Sequence, residues 1–527
     1  MKITGFTSKL LPTADQTKQI FEINRSGVLP LDTTSLQTVL SSVPPELARY
    51  DAEIERLLCE REILASHLES CRSALAPVHR LPVELLSDIF ELCFPAELYR
   101  IDEWTSCQME IDRVSHRHLL NFAHVCARWY RFTTGTPKLW STITVDTSLW
   151  SGPRLPDNAL LFLLECALDR GRDYPLNITV YIECNAHHGD AVLTLLSKHA
   201  GRWHQINILS NDQPSRSLSS IKGSLNRLQK VELDTKWKKI DIFEHAPCLT
   251  EFTFHGKSKY LPNLPWRQIQ TLTCVGDPYT TARPLQSSLA LLRSAANVEH
   301  FTARLDLRDC NRHSISTSPM VSSKVRHLDL QLAADHPGMV EKLFDSLILP
   351  SLTSFTISRF ETDPCEWPTT STSFLLLAKR SGFAHHLLHL SLDTMIPVTE
   401  LLRCLEVLPA LENLTIKDCI LDDAAHIVIT DTLLRGLTYV AGTTPLAPKL
   451  HVLKLESILT FTESIFVELI DSRVKRIRDI EGEQPFRIIL SPSWMLDADI
   501  GEFRPELVPR LEELESKLEG RLVVELE

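Results

Sequence analysis

One spacing of apolar residues returns nine times between Leu228 and Leu455: apolar-x-x-apolar-x-apolar. It is carried by Leu228/Val231/Leu233, Leu249/Phe252/Phe254, Ile269/Leu272/Cys274, Val298/Phe301/Ala303, Val325/Leu328/Leu330, Leu352/Phe355/Ile357, Leu387/Leu390/Leu392, Leu411/Leu414/Ile416 and Leu450/Leu453/Leu455. A proline stands two residues ahead of four of these sets, at Pro247, Pro350, Pro409 and Pro448. Each set reads as a turn, one buried residue, and a short strand whose alternate side chains face inward. Amphipathic stretches over 288–295, 339–347, 373–380 and 398–408 lie between sets and predict helices. Upstream, 140–146, 176–182 and 203–209 predict earlier strands of the same array, with helices over 158–170 and 189–199.

A strand and a helix repeated in this way resemble a leucine-rich-repeat solenoid, in which no unit buries its apolar face alone and neighbours must stack. The resemblance implies an α/β fold with the strands aligned as a parallel sheet on the concave side. The spacing is irregular, and alternating strands and helices also suit a doubly wound α/β domain, which carries ligand loops rich in glycine at a switch point. Those glycines are missing. Because the two apolar residues of each strand point inward, the residue between them faces out. That places Thr253, Thr273, Thr302, Asp329, Thr356, Ser391, Thr415 and Lys454 on one face as the candidate substrate-binding surface. A helical stripe at Leu507, Leu511, Leu514 and Leu518, flanked by glutamates, suits the polar cap a solenoid needs.

The N-terminal part has a different rhythm. Residues 1–45, rich in Ser, Thr and Pro, read as largely disordered apart from a short helix near Leu36–Leu40, and Pro44-Pro45 then opens a helix. Over 46–76, Leu47, Tyr50, Ile54, Leu57, Leu64, Leu68, Cys71 and Leu75 fall on alternating three- and four-residue steps, broken only by Arg61. This is a heptad-like helix with solvated outer faces. Two outcomes stand open for its stripe: a coiled-coil homodimer, or packing back on the same chain.

From Leu81-Pro82 onward, Leu85, Leu86, Ile89, Phe90 and Cys93 recur at helical steps, with proline in the first turn where its missing N–H costs nothing. Phe122, Val125 and Trp129 repeat the step on a second helix, and Leu139-Trp140 follow. Short helices of this kind hide too little surface to stand alone, so their apolar residues must meet the rest of the chain or a partner. The ordered triplet resembles an F-box, and the segment 45–145 is similar to fungal F-box proteins. The resemblance implies that 77–145 docks on the Skp-family adaptor of a cullin–RING ubiquitin ligase through Leu81, Pro82, Leu85, Leu86, Ile89, Phe90, Val125, Cys126 and Trp129. Residues 94–117 read as a polar insert that separates the two halves more widely than a compact F-box does.

Composition narrows the alternatives. At 527 residues the chain holds more than one structural unit. Seventeen glycines are few, and no phosphate-cradling motif is present, which argues against nucleotide binding. A net charge of −12 argues against a nucleic-acid partner. No apolar run has the length of a membrane span. Thirteen cysteines, an odd number without a C-x-x-C pair, suit reduced thiols in the cytoplasm or nucleus. His187-His188 near Cys184, and His385-His386 near His389, lack the four convergent ligands of a zinc site and read as ordinary surface histidines. Acidic pairs such as Asp422-Asp423 read as solvated loop charges. The sequence therefore predicts a non-catalytic protein without metal or cofactor, in which residues 146–527 form the repeat domain. Its expected role is substrate receptor of a Skp–cullin–F-box ligase. The alternative is a scaffold whose F-box helices fold into the repeat domain, with Leu81, Pro82, Ile89 and Trp129 buried.

Overall fold

The computed structural model describes residues 10–28, 33–92, 122–147, 157–182, 187–210, 283–307, 460–478, 484–492, 507–518 and 521–526, and, apart from gaps of one to four residues, 216–275 and 320–457. The polypeptide divides into two compact units, Met1–Asp102 and Glu103–Glu527, a division that falls inside the 77–145 segment. The proposed insert at 94–117 lies outside the described residues.

The first unit is helical. Helix α1, Ala14–Ser26, occupies a stretch expected to be disordered. Its ends explain it: Thr13 and Gln16 exchange hydrogen bonds in a capping box, and Gly27 closes the helix with φ 64°. Helix α2 runs from Thr34 to Ala74, 41 residues, and so starts well before Pro44-Pro45, which lie inside it. The two prolines forgo backbone bonds to the preceding turn. The hydroxyls of Thr38, Ser41 and Ser42 meanwhile donate to nearby helix carbonyls. None of the residues of α2 is buried. After a short 3-10 turn at Pro77–Arg80, helix α3 spans Val83–Leu92.

In the second unit α4, Ala127–Gly135, and a 3-10 turn at Pro137–Trp140 lead into the sheet. The strands are β1 Thr142–Asp146, β2 Leu176–Ile182, β3 Trp203–Ser210, β4 Lys230–Thr235, β5 Glu251–Phe254, β6 Thr271–Cys274 and β7 His300–Asp306. They continue as β8 His327–Ala333, β9 Ser354–Arg359, β10 His389–Asp393, β11 Asn413–Lys417, β12 Val452–Ser457, β13 Phe486–Pro492 and β14 Leu522–Leu526. In the sheet they lie in chain order from β1 to β14, and every neighbouring pair is parallel. These fourteen strands never reverse order, so the crevice of a doubly wound sheet has no counterpart among them. The architecture is mixed α/β with a large, open parallel sheet.

The recurrent triplet explains the order. Its first residue is fully buried in the turn, as at Leu228, Leu249, Ile269, Val298, Val325, Leu352, Leu387 and Leu411, and its other two are buried on one face of the strand. Just ahead of each strand the main chain is tied to the previous turn. Thr250 donates to Gln229, Gln270 to Thr250, Glu299 to Gln270, Arg326 to Glu299, Thr353 to Arg326, Leu388 to Thr353 and Glu412 to Leu388, at 2.8–3.0 Å. Helices fill the connections and share one hydrophobic cluster with the strands: α5 Asp157–Arg170, α6 His187–Ser197, α7 Leu285–Ser294, α8 Pro337–Asp345, α9 Thr372–Ser381 and α10 Val398–Glu406. At α8 and α9 the packing is aromatic, with Phe344 edge-on to Phe355, Trp367 and Phe374. Such contacts add to the roughly 1.5–3 kcal/mol that each buried large side chain contributes.

At the far end α11 Asp431–Leu437 and α12 Glu463–Arg478 precede β13. The predicted cap helix is present as α13, Leu507–Lys517, with Leu511 buried and Leu514 half-buried. It is followed by β14, so the sheet continues past the helix expected to end it.

Candidate docking surfaces

Two surfaces gather the residues singled out by sequence. The first is on α3. Residues 85 and 86, like 89 and 90, are sequence neighbours some 100° apart on the helix and therefore form two adjacent stripes. Leu86 and Phe90 are each 1% exposed, whereas Leu85 is 50% and Ile89 42% exposed. Val83 and Leu92 are exposed as well, as is Pro82, while Leu81 is half-buried. Leu86 and Phe90 thus support the fold and have no surface to offer a partner. Pro82, Leu85, Ile89 and Leu92 make the open apolar stripe.

The remaining residues assigned by resemblance sit in the second unit. Cys126 caps α4, its Sγ accepting from the Trp129 amide at 3.5 Å. Trp129 is half-buried and meets Phe122 edge-on at 5.8 Å. Val125 and Tyr130 are exposed. Leu139 and Trp140 are buried: Trp140 Nε1 donates to the Thr133 carbonyl at 2.6 Å, and the Arg170 guanidinium stands 4.6 Å from its ring. These contacts hold α4 against the start of the sheet.

The second surface is the sheet face opposite the helices. The expected outward residues fall in one hydrogen-bond register, Thr253, Thr273, Thr302, Asp329, Thr356, Ser391, Thr415 and Lys454 in successive strands. All eight are half-buried, and the row extends back through Thr144, Thr179, Asn207 and Glu232. The face is mostly hydroxyl, as expected.

Two flanking rows escaped the sequence reading. Two residues earlier along the strands, β7 to β11 present His300, His327, Ser354, His389 and Asn413 in register. The His300 and His327 rings stack, and the Asn413 side-chain amide pairs with Nδ1 of His389. Burial, reinforced by the neighbouring His300 and His389, pushes the His327 pKa below its ordinary value. On the other side of the hydroxyl row, Arg304 Nε donates to Gln331 at 3.1 Å and its guanidinium lies 4.0 Å from the Phe360 ring. Arg359 Nε donates to Asp393 at 2.8 Å, and Lys417 pairs with Glu456 at 3.0 Å. Burial raises the Asp393 pKa, and Arg359 opposes that shift.

Asp329 differs from these paired charges. Among the described residues it has no hydrogen bond or ion pair, and burial alone raises its pKa. It is a half-buried carboxylate in the centre of the face, open to a donor from outside the chain.

No group of three His, Cys, Asp or Glu side chains among the described residues is arranged to hold a metal ion. His385 and His386 are exposed, apart from His389, while Cys184, Asp422 and Asp423 lie outside the described residues. Likewise, no described helix is long and apolar enough to cross a membrane. No family model matches the chain, and no curated protein matches it significantly.

Proposed function

We propose that the chain is a non-catalytic substrate receptor of a Skp–cullin–F-box ubiquitin ligase, with α3 and the Phe122–Trp140 segment as its F-box and the sheet unit as an irregular leucine-rich-repeat solenoid. The observation that carries the first half is the division of α3 into a buried Leu86/Phe90 stripe and an open Pro82/Leu85/Ile89/Leu92 stripe. A helix folded wholly into a scaffold would hide both, and an apolar stripe left in water favours a partner groove. The chain-order parallel strands, with β4 to β12 each led by a buried turn residue, support the repeat reading.

In this reading the adaptor brings the cullin, and the hydroxyl-lined face selects a protein to be modified. The receptor forms no bond itself. It raises the effective concentration of substrate lysines near a ubiquitin-charged enzyme carried elsewhere in the complex. The test is capture of a Skp-family adaptor by the purified full chain. Adaptor binding that disappears in the Leu85→Asp/Ile89→Asp double variant supports the reading, and absence of adaptor binding by the wild-type chain overturns it.

A further inference from the structure

The heptad stripe on α2 is longer than the stretch after Pro45. Within the helix Leu36, Leu40, Val43, Leu47, Tyr50, Ile54, Leu57, Arg61, Leu64, Leu68 and Cys71 keep an unbroken four–three alternation. On a straight helix a seven-residue repeat drifts by about 20° per heptad, so a phase kept over the whole of α2 belongs to a left-handed supercoil with a helix of the same period. No residue of α2 is buried, and Leu40, Leu47, Ile54, Leu57, Leu64 and Leu68 of this stripe are exposed. The other described helices are 16 residues or shorter, and none matches it in length.

We infer that α2 pairs with α2 of a second copy of this chain in a parallel, in-register, two-stranded coiled coil. Its size is adequate: about 60 Å of helix about 10–12 Å across offers roughly 600–700 Å² per chain, close to the ~800 Å² per partner of a stable interface. The prolines do not occupy the seam: Pro44 flanks it, one residue after Val43, and Pro45 stands on the outer side. The charges fit the pairing. Glu46 and Glu53 reach Arg49 and Arg56 on their own helix, and Arg56 also holds Glu60. These pairs flank the seam and leave it apolar except at Arg61. A single charged seam residue sets register and strand number at a cost in affinity. In the parallel pairing each Arg61 lies beside the second copy's Glu60, one residue before its own seam position. A third strand would bury the arginines more deeply, so two strands are favoured. Given the receptor reading, such a dimer offers two sheet faces to one substrate and gains avidity from a duplicated motif. The dimer itself does not depend on that reading.

Cys71 and Cys59, both exposed and free, report the geometry. In the parallel pair the two Cys71 thiols face each other across the seam, whereas Cys59 lies on the outer side. The full chain should sediment as a reversible dimer at micromolar concentration, and a short bismaleimide should link it covalently. Cys71→Ser should abolish that link and Cys59→Ser should keep it. Leu57→Asp/Leu64→Asp should weaken self-association at least 100-fold while leaving adaptor capture intact. Arg61→Leu should tighten it about tenfold, a gain that misfolding cannot mimic. A monomer at every concentration, a trimer, or a dimer indifferent to Leu57 and Leu64 overturns the proposal. A link that survives Cys71→Ser overturns the parallel register.

Discussion

The imidazoles of His300 and His327 lie face to face across neighbouring strands, their centroids 4.2 Å apart and their planes within 2°. His389 of β10, beyond Ser354, and Arg326 add positive charge near His327, and Glu299 opposes them. Two neutral rings stack comfortably in this geometry, and two imidazolium ions do not.

The pair makes stability depend on pH in a defined direction. The folded-state pKa of His327 lies below its unfolded value, so the unfolded chain binds the extra proton and stability falls with pH below about 6.5. The loss is complete once pH drops below the folded pKa. His199, lowered chiefly by burial and then by Arg202, acts in the same sense. Asp329 and Asp393, raised by burial, take up protons on the folded state and oppose the loss towards more acidic pH. Urea midpoints measured between pH 8 and 5.5 should fall, and His327→Gln should remove part of that fall. An unchanged slope in His327→Gln would show that the stack is indifferent to protonation.

The two stripes of α3 separate binding from stability. Phe90→Ala removes a buried ring and should cost about 3–5 kcal/mol of stability. Leu85→Asp and Ile89→Asp lie on exposed positions and should change stability by less than about 1 kcal/mol while abolishing adaptor capture. Calorimetry beside an adaptor pull-down reads both, and equal destabilisation by the two kinds of change would remove the distinction.

The sequence exposes the strands because two spacings coincide in each set: a period of two for the strand and one more apolar residue three positions earlier for the turn. Phe486, Ile488 and Leu490 in β13 keep the period of two but lack that turn residue, so the strand passed unnoticed. The same alternation makes His300, His327 and His389 legible in hindsight, since each directly precedes an inward residue. What periodicity hides is the use of α3. Leu85/Leu86 and Ile89/Phe90 read as one broad apolar face, and only burial divides it into an inner and an outer stripe. Helix α1 was missed for another reason: its stability lies in the Thr13–Gln16 box and Gly27 rather than in an apolar face.

Arg473 on α12 offers a stability test away from both surfaces. It is buried, and its guanidinium donates from Nε to Leu437, from Nη1 to Ala447 and from Nη2 to Leu446, at 2.8–2.9 Å. Burial pushes its pKa down to about 10, so it stays charged at neutral pH. Arg473→Met leaves three carbonyls without that donor and should cost about 3–5 kcal/mol by denaturant unfolding. Arg473→Lys should recover little, because an ammonium cannot reproduce the planar fork. Full rescue by lysine would mean that charge alone is needed there.

Asp329 joins stability and recognition with opposite signs. Folding holds its carboxylate half-buried without a donor, between Thr302 and Thr356 in register, and raises its pKa. A raised carboxylate is destabilising above its unfolded pKa, so Asp329→Asn should stabilise the fold at pH 7, by no more than about 1 kcal/mol given solvent screening at such a site. The gain should shrink as pH falls through the raised pKa of the wild-type carboxyl and be gone below the unfolded one. The same change should weaken substrate capture, because a partner amide or cation seated there loses a charge-assisted hydrogen bond. Adaptor capture should be untouched. A variant that is more stable yet captures substrate as well as the wild type would leave Asp329 as mere strain and move the recognition site to another row of the sheet.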